Sequence, residues 1–324
     1  ITAGGTATDN TVTVDWGAAP SGTVTVNYVD PDGNCTAANA TTKSITINPL
    51  PVPTITGPNP VCANSAGNVY TTETGMSNYS WSVTGGTISA GGTINDNTVT
   101  VDWGTGPTGT VSVNYIDNNG CTASMPTVET IMINELPEIS FGFNGVEAPW
   151  NASFEYCYDE TVEVTLFAEY GGTAPYTVTY ELDGGSPVTV SGLSAGSVIA
   201  PAQLYSVGTH TVVVTDIEDA NGCHASSQFL SYCTATITIH EEPQISFGFN
   251  GVEAGWNASF EYCYYETVEV TLFEYYGGTP PYNVTYTLNG GTPISVSGLY
   301  KGGIISPAQN YAPGVYNVVV TDIE

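Results

Sequence analysis

The chain repeats itself, and this constrains its fold more than any other feature. Ile139–Glu218 aligns without a gap on Ile245–Glu324, an offset of 106 residues from Ile139 to Ile245. ISFGFNGVEA, WNASFEYCY and VVVTDIE recur at that spacing. A different repeat precedes it: Ile1–Tyr28 matches Ile88–Tyr115, an offset of 87 from Ile1 to Ile88, with TVTVDWG at Thr11 and again at Thr98. Tandem modules at a fixed period indicate an array, built for reach or for many copies of one surface. Residues 1 and 324 both fall inside a module, so a longer parent polypeptide with further modules on each side is expected.

Stretches such as TVTVDW, TVSVNY, TVEVTLF and HTVVVTD alternate with period two, the mark of strands with one buried face. GG, NG and DG pairs and prolines separate them, which are turn signals. The expected fold is all-β, a row of immunoglobulin-like sandwiches forming an extended rod. The modules are 1–50 (the second half of one type), 51–137 (a complete copy of it), 138–242 (a second type) and 243–324 (a shortened copy). The links NPLPVP (Asn48–Pro53), NELPEI (Asn134–Ile139) and HEEPQI (His240–Ile245) carry proline and almost no glycine or serine, so they read as stiff. At a strand rise of about 3.3 Å per residue, four such modules in line would span on the order of 130–160 Å.

Charge narrows the partners. Lys43 and Lys301 are the only basic residues against 31 acidic ones, a net charge of −29. Neutralising phosphates takes Lys and Arg, so nucleic acid is excluded as a partner, and anionic membrane surfaces with it. No run of about 20 apolar residues offers direct membrane insertion. The hydrophobic fraction of 41% supports packed cores rather than an acidic disordered tail. A chain this acidic either recruits cations or simply stays soluble through self-repulsion.

Seven cysteines, with no CxxC pair and only three dispersed histidines, argue against zinc and for structural disulfides in an oxidising, extracellular compartment. Trp81 lies between Cys62 and Cys121 in sequence, as expected of a core tryptophan packed on an inter-sheet disulfide. A Cys62–Cys121 bond would close a loop of about 60 residues, worth about 4 kcal/mol by loop entropy. In the third module Cys157 pairs with Cys223, which follows an NG as Cys121 does; Cys157–Cys233 is the rival.

Acidic loops follow the penultimate strand of each module: Asp30, Asp32 and Asn34; Asp117 and Asn119; Asp216, Glu218, Asp219 and Asn221. Oxygens at alternate positions beside glycine suit calcium, the one cofactor the sequence suggests. The plainer reading is a side-chain-capped turn. Catalysis is not expected: the histidines are scattered, no phosphate-cradling loop precedes a helix, and the paired carboxylates lie on duplicated strands. The aromatic openings hold Phe141, Phe143 and Trp150, with copies Phe247, Phe249 and Trp256. They are candidate contact residues for sugar or self-association, against the favoured alternative that they pack the cores and junctions.

NPVCANSAGNVYT, YSWSVTGG and VDWGTGPTGTVSVNYIDNNGC resemble the PKD-like repeats of Bacteroidota surface proteins. GGTAPYTVTY, GGTPPYNVTY and VVVTDIEDANGC are similar to SprB-type repeats of gliding and surface adhesins in that phylum. The third module departs from that pattern in its SFGFNGVEAPWNASF opening and its HASSQFLSYC insertion. The resemblance implies a giant cell-surface protein exported by the type IX secretion system and acting in attachment or gliding. The expected function is therefore a structural, adhesive segment. Its partners would be neighbouring modules, other copies of the same protein, and a surface polysaccharide or a host or abiotic surface. The alternatives are a subunit of an associating filament and a spacer in a secreted polysaccharide hydrolase or protease.

Overall fold

A computed structural model describes residues 1–324 apart from Ala19, Trp150 and Trp256. The chain is an array of β-sandwiches that divides into two compact units, Ile1–Leu136 and Pro137–Glu324. Among the described residues no helix is long and apolar enough to cross a membrane.

The first unit opens with β1 (Ala3–Gly4), β2 (Val12–Thr13), β3 (Ser21–Val26) and β4 (Thr41–Thr46), paired β1–β2 and β3–β4. No described residue of 1–50 is fully buried. Seven strands follow: β5 (Val61–Cys62), β6 (Asn68–Thr71), β7 (Ser77–Thr84), β8 (Gly86–Gly91), β9 (Thr98–Trp103), β10 (Thr108–Ile116) and β11 (Thr127–Asn134). They form two sheets, ordered β5-β11-β10-β7 and β6-β9-β8. The period-two pattern puts Val99, Val101 and Trp103 of β9 against Val111, Val113 and Tyr115 of β10, all buried. Each such valine contributes about 1.5–3 kcal/mol by leaving water. Trp103 donates its indole N–H to the Tyr70 hydroxyl at 3.2 Å, and that hydroxyl donates to the Pro58 carbonyl at 2.9 Å. Its counterpart Trp16 is 40% exposed.

The second unit carries nine strands in its first half: β12 (Glu138–Phe143), β13 (Val146–Ala148), β14 (Ala152–Cys157), β15 (Thr161–Gly171), β16 (Tyr176–Leu182), β17 (Val188–Leu193), β18 (Val198–Leu204), β19 (Gly208–Glu218) and β20 (Thr234–His240). Their sheets run β13-β12-β15-β18 and β14-β20-β19-β16-β17. One short helix, α1 (Ser227–Leu230), lies in the insertion before β20. The second half repeats the plan with β21 (Gln244–Phe249), β22 (Val252–Ala254), β23 (Thr267–Gly277), β24 (Tyr282–Leu288), β25 (Ile294–Leu299), β26 (Ile304–Asn310) and β27 (Val318–Ile323), in sheets β22-β21-β23-β26 and β25-β24-β27. Separate apolar cores fill the two halves, one centred on Ile139, Leu166 and Ile237, the other on Leu272, Tyr282 and Ile305.

The disulfide expectation is corrected. Cys121, Cys157 and Cys233 carry free thiols, as do Cys35 and Cys263, so neither Cys62–Cys121 nor Cys157–Cys223 forms. Strand register gives the reason. Cys62 pairs with Asn134 at the end of β11, whereas Cys121 lies in the loop before β11 begins at Thr127. The length of β11, roughly 25 Å at a strand's rise, separates them. A disulfide needs Cα atoms within about 7 Å. Cys157 pairs with His240 at the far end of β20, while Cys233 precedes the start of β20 and Cys223 lies beyond the adjoining end of β19. Trp81 is in the core as expected, yet its indole N–H is satisfied by the Asp96 carbonyl at 2.9 Å, with no Cys62–Cys121 bond beside it.

Candidate interaction surface

The acidic loops are built as turns. Asp117 Oδ1 accepts the N–H groups of Asn119 (2.9 Å) and Cys121 (2.7 Å), and Asp30 Oδ1 accepts that of Asp32 (3.1 Å). In DIEDAN the strand period divides the three carboxylates. Asp216 and Glu218 flank buried Ile217 and face outward, whereas Asp219 turns inward and is 5% exposed. Its Oδ1 accepts the N–H groups of Asn221 and Cys223, and its Oδ2 the Thr173 N–H and the Asn221 side-chain amide. Calcium takes about six to eight oxygens. These lone pairs already serve backbone donors, and among the described residues no three His, Cys, Asp or Glu side chains converge as a metal site. Of the calcium candidates Asp30, Asp32, Asn34, Asp117, Asn119, Asp216, Glu218, Asp219 and Asn221, Asp30, Asp117 and Asp219 cap turns and Asp216 faces His224 Nδ1 at 3.1 Å, and calcium at these loops stays an expectation. Asp219 instead ties GGTAP to DANGC, so the two motifs are halves of one hydrogen-bonded corner.

One polar cluster escaped the sequence reading. His210 Nδ1 lies 2.7 Å from Asp183 Oδ2, and His210 Nε2 lies 2.8 Å from the Ser206 carbonyl and 3.3 Å from the Ser206 hydroxyl. The side chains have the order of a Ser-His-Asp triad. The carbonyl decides against that chemistry: it only accepts, so Nε2 must donate and has no lone pair for the Ser206 proton. Carboxylate and carbonyl together require both ring nitrogens to carry hydrogen. The Asp183 hydrogen bond, then the Ser206 carbonyl, raise the His210 pKa accordingly. The group is a charged clamp between the β16–β17 and β18–β19 turns.

The face that both copies share lies outside the β12–β13–β15 and β21–β22–β23 strands. Asn144-Gly145 and Asn250-Gly251 have positive φ (47° and 78°; 48° and 78°), the conformation of a two-residue hairpin turn. The turn sets Glu147 opposite Gly142 and Glu253 opposite Gly248. Those glycines leave room for a ring. A Cβ at Gly142 would stand 2.8 Å from Phe167, and one at Gly248 2.7 Å from Phe273. Glu147 Oε1 accepts the Ser140 hydroxyl at 2.6 Å and the Tyr170 hydroxyl at 2.8 Å. Glu253 Oε1 accepts Ser246 at 2.7 Å and Tyr276 at 3.0 Å. The Ser140 and Tyr170 hydrogen bonds hold Glu147 below the usual carboxylate range. Tyr170 and Tyr276 stay 62% and 64% exposed while anchored by their hydroxyls. On the later copy Lys301 pairs with Glu274, whose strand partner is Ser246. The Lys301 hydrogen bond lowers the Glu274 pKa.

The aromatics singled out by sequence are elsewhere. Phe143 is buried in the core of its module, Phe141 packs against it, and Phe247 and Phe249 pack against theirs. They are inward residues of β12 and β21, which removes them as contact residues. Trp150 and Trp256 lie outside the described residues. Of the outward set, alternation with inward Leu166 and Leu272 places Phe167 and Phe273, whereas Tyr170 and Tyr276 were hidden by a bulge. Register shifts between Ser140 and Phe141, and between Ser246 and Phe247, reverse the parity that alternation alone predicts.

Residues 48–131 match the family model of the PKD-like domain. No curated protein matches the chain. Among solved structures the chain is similar to a Ca2+-stabilized adhesin of an Antarctic bacterium that binds ice, at 18% identity over 87% of this chain and 72% of that one, TM-score 0.31. It is also similar to fibronectin(III)-like modules of Clostridium thermocellum CbhA (12%, 58% and 95%, TM-score 0.30). A third similarity is to protocadherin gamma B2 extracellular cadherin domains 3–6 (12%, 91% and 76%, TM-score 0.28).

Proposed function

We propose that the chain is a structural and adhesive segment of a secreted or cell-surface protein. Its modules would carry a binding tip outward or present weak contacts many times over. The observation that supports this is the repeated face: Ser140, Glu147 and Tyr170 recur as Ser246, Glu253 and Tyr276 with the same hydrogen bonds. An array that duplicates one exposed surface gains through multivalency what each contact lacks. SprB-type identity, type IX export and a part in gliding belong to the same proposal and rest on the sequence motifs. So does the stalk shape, which rests on the proline-bearing links. Calcium is left out of the proposal, since Asp30, Asp117 and Asp219 already accept backbone N–H groups.

A non-catalytic role is part of the proposal. The Ser206–His210–Asp183 cluster is supported as a clamp rather than a nucleophile by the carbonyl on Nε2. The experiment is deletion of the array from the source cell. Loss of surface attachment with soluble hydrolysis unchanged supports adhesion; retained attachment with lost hydrolysis would make it an enzyme spacer. Concentration-dependent fibres of the purified chain would favour the filament reading.

A further inference from the structure

We propose that the outward face of β21, β22 and β23, carrying Phe273, Tyr276, Glu253, Glu274 and Lys301, binds an uncharged polysaccharide chain. This rests on the adhesive reading only in taking the ligand to be a surface polymer. A sugar ring offers an apolar C–H face and a rim of hydroxyls. Its recognition needs an open aromatic face beside fixed acceptors and donors. All three are present. The Phe273 ring lies over Gly248 on the solvent side of the sheet, and Tyr276 is 64% exposed. Glu253 pins the Tyr276 hydroxyl at 3.0 Å, so the ring is oriented before anything binds and little freedom is lost on contact.

The polar groups have capacity left. Glu253 uses Oε1 for both Ser246 and Tyr276. Its Oε2 has no partner among the described residues and is an acceptor for a sugar hydroxyl, a charge-assisted bond of the stronger kind. Lys301 has three hydrogens and gives one to Glu274. It is the sole lysine or arginine of Pro137–Glu324 in a chain with two. A single amine placed among these groups supplies the donor that an otherwise acidic surface lacks.

Charge and shape select the ligand class. A net charge of −29 repels acidic polymers, and the carboxylates at the centre of this face add to that. Tyr276 stands exposed on the sheet face, which suits an extended chain lying across strands. The earlier copy keeps Phe167, Tyr170, Glu147 and Ser140, but Ala168 and Ala195 stand where Glu274 and Lys301 do. It is therefore the weaker of two linked faces, and the pair gains by avidity.

The test is native affinity electrophoresis of the whole 324-residue chain in gels containing laminarin, dextran, yeast mannan or xyloglucan, with alginate as the acidic control. Retardation by at least one neutral polymer and none by alginate is expected. Tyr276→Ala should weaken it about 10-fold, about 1.4 kcal/mol. Lys301→Ala should weaken it several-fold, and Tyr170→Ala less than Tyr276→Ala. Tyr276→Phe, which keeps the ring and frees it from Glu253, should fall between wild type and Tyr276→Ala. An unchanged far-UV spectrum confirms that each variant folds. Retardation by none of the four neutral polymers, equal retardation by alginate, or an unaffected Tyr276→Ala overturns the proposal. If beads coated with the chain still attach to surfaces while no polymer retards it, the adhesive reading stands and the glycan site falls.

Discussion

Gly109 lies under the indole of Trp103 so closely that a methyl group in its place would overlap the ring at Cζ3 and stand 2.7 Å from the Thr84 carbonyl oxygen. The pair recurs as Gly22 and Trp16. β10 thus holds a glycine where the tryptophan of β9 needs floor space. Gly109→Ala should destabilise the module by about 1–3 kcal/mol through overpacking, read as a lower urea midpoint with unchanged slope. A wild-type midpoint would show that the ring can move aside.

Glu73 anchors the entry to the same module. It accepts the Thr54 N–H (3.1 and 3.2 Å), the Thr54 hydroxyl (2.6 Å) and the Thr72 hydroxyl (2.7 Å). Burial pushes its pKa up, but these hydrogen bonds outweigh it and bring it to about 2. A depressed carboxylate stabilises above its unfolded value and loses that contribution as pH falls toward its folded one. Glu73→Gln should cost on the order of 2 kcal/mol at neutral pH and little at pH 2. Equal losses at both would refute the charge-assisted account.

The His210–Asp183 clamp has the opposite sign for its histidine. Its raised pKa means the contribution is complete below the ordinary value of about 6.5 and lost as pH rises through the folded value. Asp183, lowered by His210 first and then by the Thr211 N–H, adds stability lost only in acid. The groups facing His210 are Asp183, Ser206 and the Tyr205 ring at 5.2 Å. Melting of Pro137–Glu324 should therefore move to lower temperature from pH 6 to pH 9, and His210→Gln should flatten the slope. Labelling of Ser206 by a fluorophosphonate would show instead that Nε2 is free to act as a base.

The turn geometry of the acidic loops predicts that excess chelator leaves the melting temperature unchanged. A fall reversed by added calcium would return these loops to cation binding.

The free thiol of Cys121 predicts that Cys121→Ser leaves the melting temperature where it was, instead of removing the roughly 4 kcal/mol a 60-residue disulfide loop would give. A thiol titration of the native chain should find the exposed Cys35, Cys157 and Cys263 reactive. A large loss in Cys121→Ser would restore the expected bond.

Strand periodicity made β9, β10 and β23 legible because a half-buried strand must alternate, and the NG pairs marked the β12–β13 and β21–β22 hairpins because a two-residue turn needs positive φ. The cysteine pairing and the outward face were not legible. Both depend on which strand ends meet and where a bulge reverses parity, and neither leaves a trace in local composition.

The limit is sharpest where sequence is constant. ASFEYC occurs at 152–157 and again at 258–263; the first copy is β14, and the second is not in a strand. Alternation and β-branched content are the same in both, so the sequence determined only that this segment is able to extend. In the earlier half β14 lies parallel to β20, from Ala152 beside Ala235 to Cys157 beside His240. The stretch that 245–324 repeats, 139–218, stops short of β20. A strand's backbone N–H and C=O groups must be paired from outside the segment, so at 152–157 it was the tertiary structure, by laying β20 alongside, that decided the strand.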